Sequence, residues 1–205
     1  MIALVTGASR GIGHAVAEAL KGAGYDVITA SRGAGCDVSQ EGDVERLFTD
    51  IRHLDLLVNN AGVLTPRKLL VDVTVAEWDE TMAVNLRGVF LCTRAALRLM
   101  LSQRSGLIIN LSSGAGKRPA PTWGPYAVSK WGVEGLTKSV AAEVADTGIK
   151  IIAINPGGTR TAMRAAAYPS EDPQTLKTPE KFAAFLMKIV TGQRPVTNGE
   201  SVDYE

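Results

Sequence analysis

The sequence predicts a doubly wound α/β fold, in which a parallel sheet is covered by helices on both faces. Three observations predict it. Short apolar runs alternate with helix-period segments along the 205-residue chain. Those runs read as strands buried on both faces. A glycine-rich turn follows the first run and opens a helix.

The elements follow in order. Ile2 to Val5 is the first strand. Ile12 to Leu20 is a helix with Ile12, Val16, Ala19 and Leu20 on one face, stopped by Gly22 and Gly24. Val27 to Ala30, Leu54 to Val58, Leu107 to Leu111 and Ile149 to Ile154 are further strands. Thr74 and Glu77 form a capping box before a long helix reaching about Ser102. Pro125 suits the first position of a helix running to about Ala145, and Thr178-Pro179-Glu180 opens a third such helix. Gly199 to Tyr204 reads as the last strand. No repeat, low-complexity segment or linker interrupts the pattern, so one domain is expected over residues 1–205.

Composition excludes several classes. The 45% apolar and 21% charged fractions are those of an ordinary water-soluble globular protein. A net charge of +1 gives no reason to expect a polyanion partner. Arg94, Arg98 and Arg104 lack interleaved aromatics and read as solvated helix surface rather than a nucleic-acid site. No apolar run is long enough to span a membrane. No basic stretch precedes an apolar one at the N-terminus, which argues against a signal peptide. Cys36 and Cys92 lack metal-ligand spacing, and a reduced cytoplasmic compartment is the simplest reading. His14 and His53 stand alone, so no metal site is expected.

In such a fold, ligands bind beyond the carboxyl ends of the strands. After the first strand comes Thr6-Gly7-Ala8-Ser9-Arg10-Gly11-Ile12-Gly13. Gly7 permits a sharp turn. Gly11 and Gly13 let backbone approach a pyrophosphate, and the helix start offers free N–H groups. The spacing is G-x-x-x-G-x-G rather than G-x-G-x-x-G, and a tight turn without a ligand would also account for it.

Tyr126 and Lys130 lie four residues apart, on one helix face. A phenol of pKa about 10 is a poor base at neutral pH. An ammonium ~4 Å away contributes roughly 4 kcal/mol at an effective dielectric of about 20. That would lower the phenol by about two to three units, toward the working pH of an acid–base catalyst. An ordinary surface pair is the plain alternative for an isolated Tyr-x-x-x-Lys.

Five ordered motifs between about residues 2 and 165 resemble the short-chain dehydrogenase/reductase family: Thr6-Gly7-x-x-x-Gly11-x-Gly13, Asn59-Asn60-Ala61-Gly62, Asn85 in Val84-Asn85-Leu86, Ser112-Ser113 with Tyr126-Ala127-Val128-Ser129-Lys130, and Pro156-Gly157-Gly158-Thr159-Arg160-Thr161. The resemblance, to a short, bacterial-type member, implies a Rossmann fold and hydride transfer between a nicotinamide cofactor and a carbonyl or alcohol. Tyr126 would be the general acid and base. The family pattern places the substrate-positioning serine thirteen residues before the tyrosine, at Ser113, with Ser112 as the alternative. Asn85 would hold a water linking Lys130 to solvent, unless it only caps or relieves a kink in its helix. Cofactor contacts are implied for Gly7, Ser9, Arg10, Gly11, Ile12 and Gly13, and for Asn60, Ala61, Gly62, Tyr126 and Lys130. Pro156, Gly157, Thr159 and Thr161 complete that set.

The second strand is followed by Ser31-Arg32, where NAD-binding folds usually carry an acidic residue. Arg32 could grip a 2′-phosphate instead, with Arg10 as a second clamp. Asp26 lies before the strand. NADP(H) is therefore expected over NAD(H). Only Gly33-Ala34-Gly35-Cys36 separate Arg32 from Asp37-Val38, too few for a crossover of about ten to twelve residues. The third strand and its helix are thus expected to be shortened or missing. Asp37 and Val38 resemble the family's adenine contacts.

Residues 162–178 correspond to a substrate lid in relatives, and Met163, Tyr168, Leu176 and Trp123 could line an apolar substrate pocket. A hydrophobic ketone, aldehyde or acyl thioester would suit it. Relatives pair their two long helices across a two-fold axis, so a homodimer or homotetramer is expected, with Val84, Val89, Leu91 and Leu97 as candidate buried residues. Two rivals stand beside this reading. A non-catalytic NADPH sensor would not need the Ser-Tyr-Lys set. A nucleotide-sugar epimerase or dehydratase would need a further substrate domain.

Overall fold

The computed structural model describes residues 1–204. Six strands form one parallel sheet in the order β2-β1-β3-β4-β5-β6. They span Ile2–Thr6 (β1), Asp26–Ala30 (β2), Leu56–Asn59 (β3), Gly106–Leu111 (β4), Ile149–Asn155 (β5) and Ser201–Asp203 (β6). Each expected strand is present within two residues of its expected bounds. Asp26 opens β2 rather than preceding it, at the strand's amino end.

The strand period of two divides the core. On β1, Ala3 and Val5 face one side and Leu4 the other. Helices α1 (Gly11–Gly22) and α7 (Pro179–Val190) cover the first face, with Val16, Leu20, Phe182 and Leu186 fully buried there. The opposite face carries α2 (Glu41–Thr49), α4 (Gly88–Gln103) and α5 (Gly124–Glu143), burying Val44, Cys92, Met100 and Val140. Parallel β-α-β crossovers require this two-sided cover.

Helix starts follow their sequence signals. Thr74 caps α3 (Val75–Met82) in a full capping box with Glu77. The expected long helix is continuous from Val75 to Gln103, but a π turn at Ala83–Arg87 separates α3 from α4. Pro125 is the second residue of α5, not the first, because Trp123 is the cap. Thr178 caps α7 by accepting from the Lys181 N–H. Between β2 and β3 lie a 3₁₀ turn at Arg32–Ala34 and the short helix α2, which the sequence reading did not anticipate. It is short and mostly polar: Val44 is its one buried residue, with Leu47 and Phe48 partly buried against the same core. After β5 come α6 (Ala162–Ala167) and a 3₁₀ turn at Pro173–Thr175.

The connection from β1 to β2 runs one way along the sheet, and that from β2 to β3 runs back across β1. The order therefore reverses between β1 and β3, and a crevice opens beyond their carboxyl ends.

Candidate active site

That crevice is a cleft of about 760 Å³. One end is lined by Gly7, Ser9, Arg10, Gly11 and Ile12, the other by Leu111, Ser112, Tyr126 and Lys130.

The glycine turn is held by its neighbour. Gly7 is left-handed at φ +66°, and a Cβ there would come within 2.7 Å of Ala61 Cα. Thr6 Oγ1 accepts from the backbone N–H groups of Asn60 and Ala61, each at 3.0 Å. Asn60 Nδ2 donates to the carbonyls of Thr6 (2.9 Å) and Gly7 (3.0 Å). The turns after β1 and β3 are thus tied into one unit. Gly13 does not line the cleft. It leaves room for the Asn60 amide and the Gly7 carbonyl, both of which a Cβ would strike. Thr6 was overlooked by the sequence reading, although it stands first in the glycine motif.

The first turn of α1 carries no side-chain cap and no acidic residue. Its N–H groups and partial positive charge are left to an anion beyond the protein. This is the fit expected of a dinucleotide's phosphates. Arg32 lines the cleft and lies 3.8 Å from Glu80, both side chains more than half exposed. That pair is weak and leaves the guanidinium available. Asp37 and Val38 also line the cleft. Asp37 Oδ1 accepts from Ser39 N–H and Oγ, which fixes its turn, while Val38 packs under Gly88.

Tyr126 and Lys130 rise on one face of α5, as their spacing requires. Ser113 Oγ accepts from Ala115 N–H at 3.2 Å and acts to lower the Tyr126 phenol. Ser112 is buried, and its Oγ is without a partner among the described residues. Lys130 is 5% exposed, donates to the Leu111 carbonyl at 2.7 Å, and stands 5.7 Å from the Tyr126 ring centre. The expected depression of the phenol is corrected here. Burial pushes Tyr126 up, with Ser113 acting the other way, while the ammonium is drawn to Leu111. Lys130 falls to about 8 through burial, opposed by Glu134.

Asn85 is fully buried within the π turn. Its Oδ1 accepts from Val63 N–H (2.8 Å), and its Nδ2 donates to Val63 O (2.9 Å) and Ser129 Oγ (3.3 Å). Both amide hydrogens are engaged, so a water here would have to donate to one of its oxygens. Pro156 and Thr161 line the cleft; Gly157 and Thr159 do not. Thr159 is buried and donates to Pro156 O, while Gly157 turns the chain at φ +64°. Thr161 caps α6.

The aromatic residues near the end of the cleft are covered by cations. Trp123 stacks 5.4 Å from Tyr126 and 5.8 Å from Tyr168. The Arg67 guanidinium sits over both Trp123 (5.4 Å) and Tyr168 (5.0 Å), and Arg164 covers Tyr168 at 3.9 Å while pairing with Glu171. Of the four residues expected to line a substrate pocket, Met163 lines the cleft; Trp123 and Tyr168 do not, and Leu176 packs beside Gly158 instead. Among the described residues no cluster could hold a metal, and no helix is long and apolar enough to cross a membrane.

Fold and cleft together define a nucleotide-binding α/β protein whose site gathers a tyrosine, a lysine and a serine. The chain belongs to the short chain dehydrogenase family, whose model matches residues 1–172. It is an oxidoreductase of that family. It is 36% identical to a 3-oxoacyl-[acyl-carrier-protein] reductase from Staphylococcus aureus, with 96% of each chain covered. It is 39% identical to the uncharacterized oxidoreductase YciK of Escherichia coli over 66% of this chain, spanning about half (53%) of that protein's length. A short chain dehydrogenase from Shigella flexneri, solved in complex with NADP, superposes at a TM-score of 0.89 with 30% identity, covering 98% of this chain and 95% of that one.

Proposed function

We propose that this protein transfers hydride between NADP(H) and a carbonyl or alcohol substrate, with Tyr126 as proton donor and acceptor. The observation that carries the reading is one cleft with an uncapped helix start at one end and Tyr126 and Lys130, beside Ser112, at the other, with Ser113 next in the chain. When bound, the nicotinamide supplies the hydride in reduction and accepts it in oxidation.

The chain's own residues do the rest. Amides at the start of α1 and the left-handed Gly11 receive the pyrophosphate. Arg32 and Arg10, both on the cleft, would hold the 2′-phosphate, and no acidic residue stands at the end of β2 to repel it. Asp37 and Val38, on the cleft, would form the adenine side, with only a 3₁₀ turn between β2 and them. Asn60, Ala61, Gly62, Pro156 and Thr161 wall the middle. Ser113 orients the carbonyl oxygen toward the phenol. Tyr126, held protonated by burial, gives that oxygen its proton in reduction. Lys130 fixes the ribose side and returns protons, with a water on Asn85 as the outlet. The similarity to the staphylococcal reductase favours a ketone, aldehyde or 3-oxoacyl thioester as substrate.

The test is a carbonyl panel followed at the reduced-nicotinamide absorbance with NADPH and with NADH. Turnover is expected with NADPH, and Tyr126→Phe should lower it by about 100-fold or more while leaving NADPH binding intact. Arg32→Ala should raise the KM for NADPH far more than for NADH. Full turnover by the phenylalanine variant would overturn the reading. Tight NADPH binding without turnover on any compound would favour a sensor.

A further inference from the structure

We propose that Glu134 is a positioning residue of the reactive centre: its buried carboxylate, one turn beyond Lys130 on α5, keeps the lysine's positive charge in the site. The inference rests on the proposed Tyr126–Lys130 pair. Tyr126, Lys130 and Glu134 follow one another at intervals of four residues, so they form a stripe along α5. Glu134 is only 6% exposed, and its Oε1 has no hydrogen-bond partner among the described residues. A buried carboxylate oxygen without a donor is costly and calls for a compensating charge.

Lys130, one turn earlier on the same stripe, is the buried cation of this helix, and its field rather than a closed ion pair links the two. The Leu111 carbonyl gives that ammonium a dipole but no counter-charge. Burial alone would drive the proton off. Other charged groups on the packed elements are engaged elsewhere or lie at the surface. On α3, Glu77 pairs with Lys68, Glu80 with Arg32, and Asp79 is exposed. Arg87 of the π turn donates to Ser39 O, and Lys150 of β5 to Val196 O. The 3₁₀ turn at Gly114–Gly116 carries no charge, and Lys117 beyond it pairs with Asp203. Lys138 and Glu143 of α5 are exposed. Glu134 is thus the buried anion that opposes the desolvation of Lys130, consistent with the direction in which it moves the lysine. A glutamine could fill the same space but could not hold the charge.

The test compares wild type, Glu134→Gln and Glu134→Asp in protein carrying ¹³C-labelled lysine, with the Lys130 Cε resonance assigned by its absence in Lys130→Arg. The wild-type resonance should titrate near pH 8. In Glu134→Gln the midpoint should move lower, and the alkaline limb of the turnover profile should move with it. Glu134→Asp should restore both toward wild type. An unchanged lysine midpoint in Glu134→Gln overturns the proposal. Glu134→Met guards against a glutamine variant that fails to fold: the lysine midpoint should fall there too, and no change also overturns the proposal. If no carbonyl is turned over, the function proposed above fails while the lysine titrations still decide the role of Glu134.

Discussion

Lys130 shows how one residue couples stability to chemistry. Its folded value of about 8 lies below the ordinary 10.5, because burial penalises the charged form. Below about pH 8 the ammonium is charged in both folded and unfolded chains, so the full penalty is present. Between about 8 and 10.5 the unfolded chain binds more protons, and stability rises with pH. Above 10.5 the penalty is gone. Wild type should therefore gain roughly 3 kcal/mol relative to Lys130→Met across that window, measured by urea unfolding at stepped pH. A constant difference would mean that the lysine is not desolvated. Turnover should be lost in the variant at every pH.

At the scale of an element, the start of α1 is set by two glycines with different duties. Gly11 adopts φ +59° and faces the cleft, while Gly13 admits the Asn60 amide against the Gly7 carbonyl. Gly13→Ala should cost at least about 2 kcal/mol, because backbone must shift. Gly22, at the other end of the helix, has nothing within 4 Å of an added Cβ. Gly22→Ala should be neutral or stabilise by up to about 1 kcal/mol. Thermal unfolding of the two variants separates close approach from plain helix propensity. Equal shifts would contradict the contact between the two turns.

At the scale of the whole molecule, the apolar residues expected to pair subunits have gone elsewhere. Val84, Val89 and Leu91 are buried within this chain, and Leu97 packs against the same core. The apolar side chains left on the outer faces of α4 and α5 are Phe90 (42% exposed), Leu101, Val128 and Trp131 (51% exposed). We propose that these form the contact between copies in a homodimer or homotetramer. Trp131→Glu should shift the protein to a smaller species in analytical ultracentrifugation. An unchanged sedimentation coefficient would place the interface elsewhere or deny one.

Much of this was legible in the sequence. Strand positions, the capping box at Thr74, the N-cap at Thr178, the cleft-lining glycine turn and the shared face of Tyr126 and Lys130 all follow from local periodicity and backbone chemistry. Short-range rules fix these because each depends on residues within a few positions of one another. Tertiary structure alone decided the rest. It turned Gly13 inward toward Asn60, bound Asn85 to Val63, set Arg67 between Trp123 and Tyr168, and buried Glu134 one turn beyond Lys130 without a hydrogen-bond partner on Oε1. It also reversed the expected direction of the Tyr126 shift, since desolvation depends on everything packed around a group and not on its neighbours in sequence.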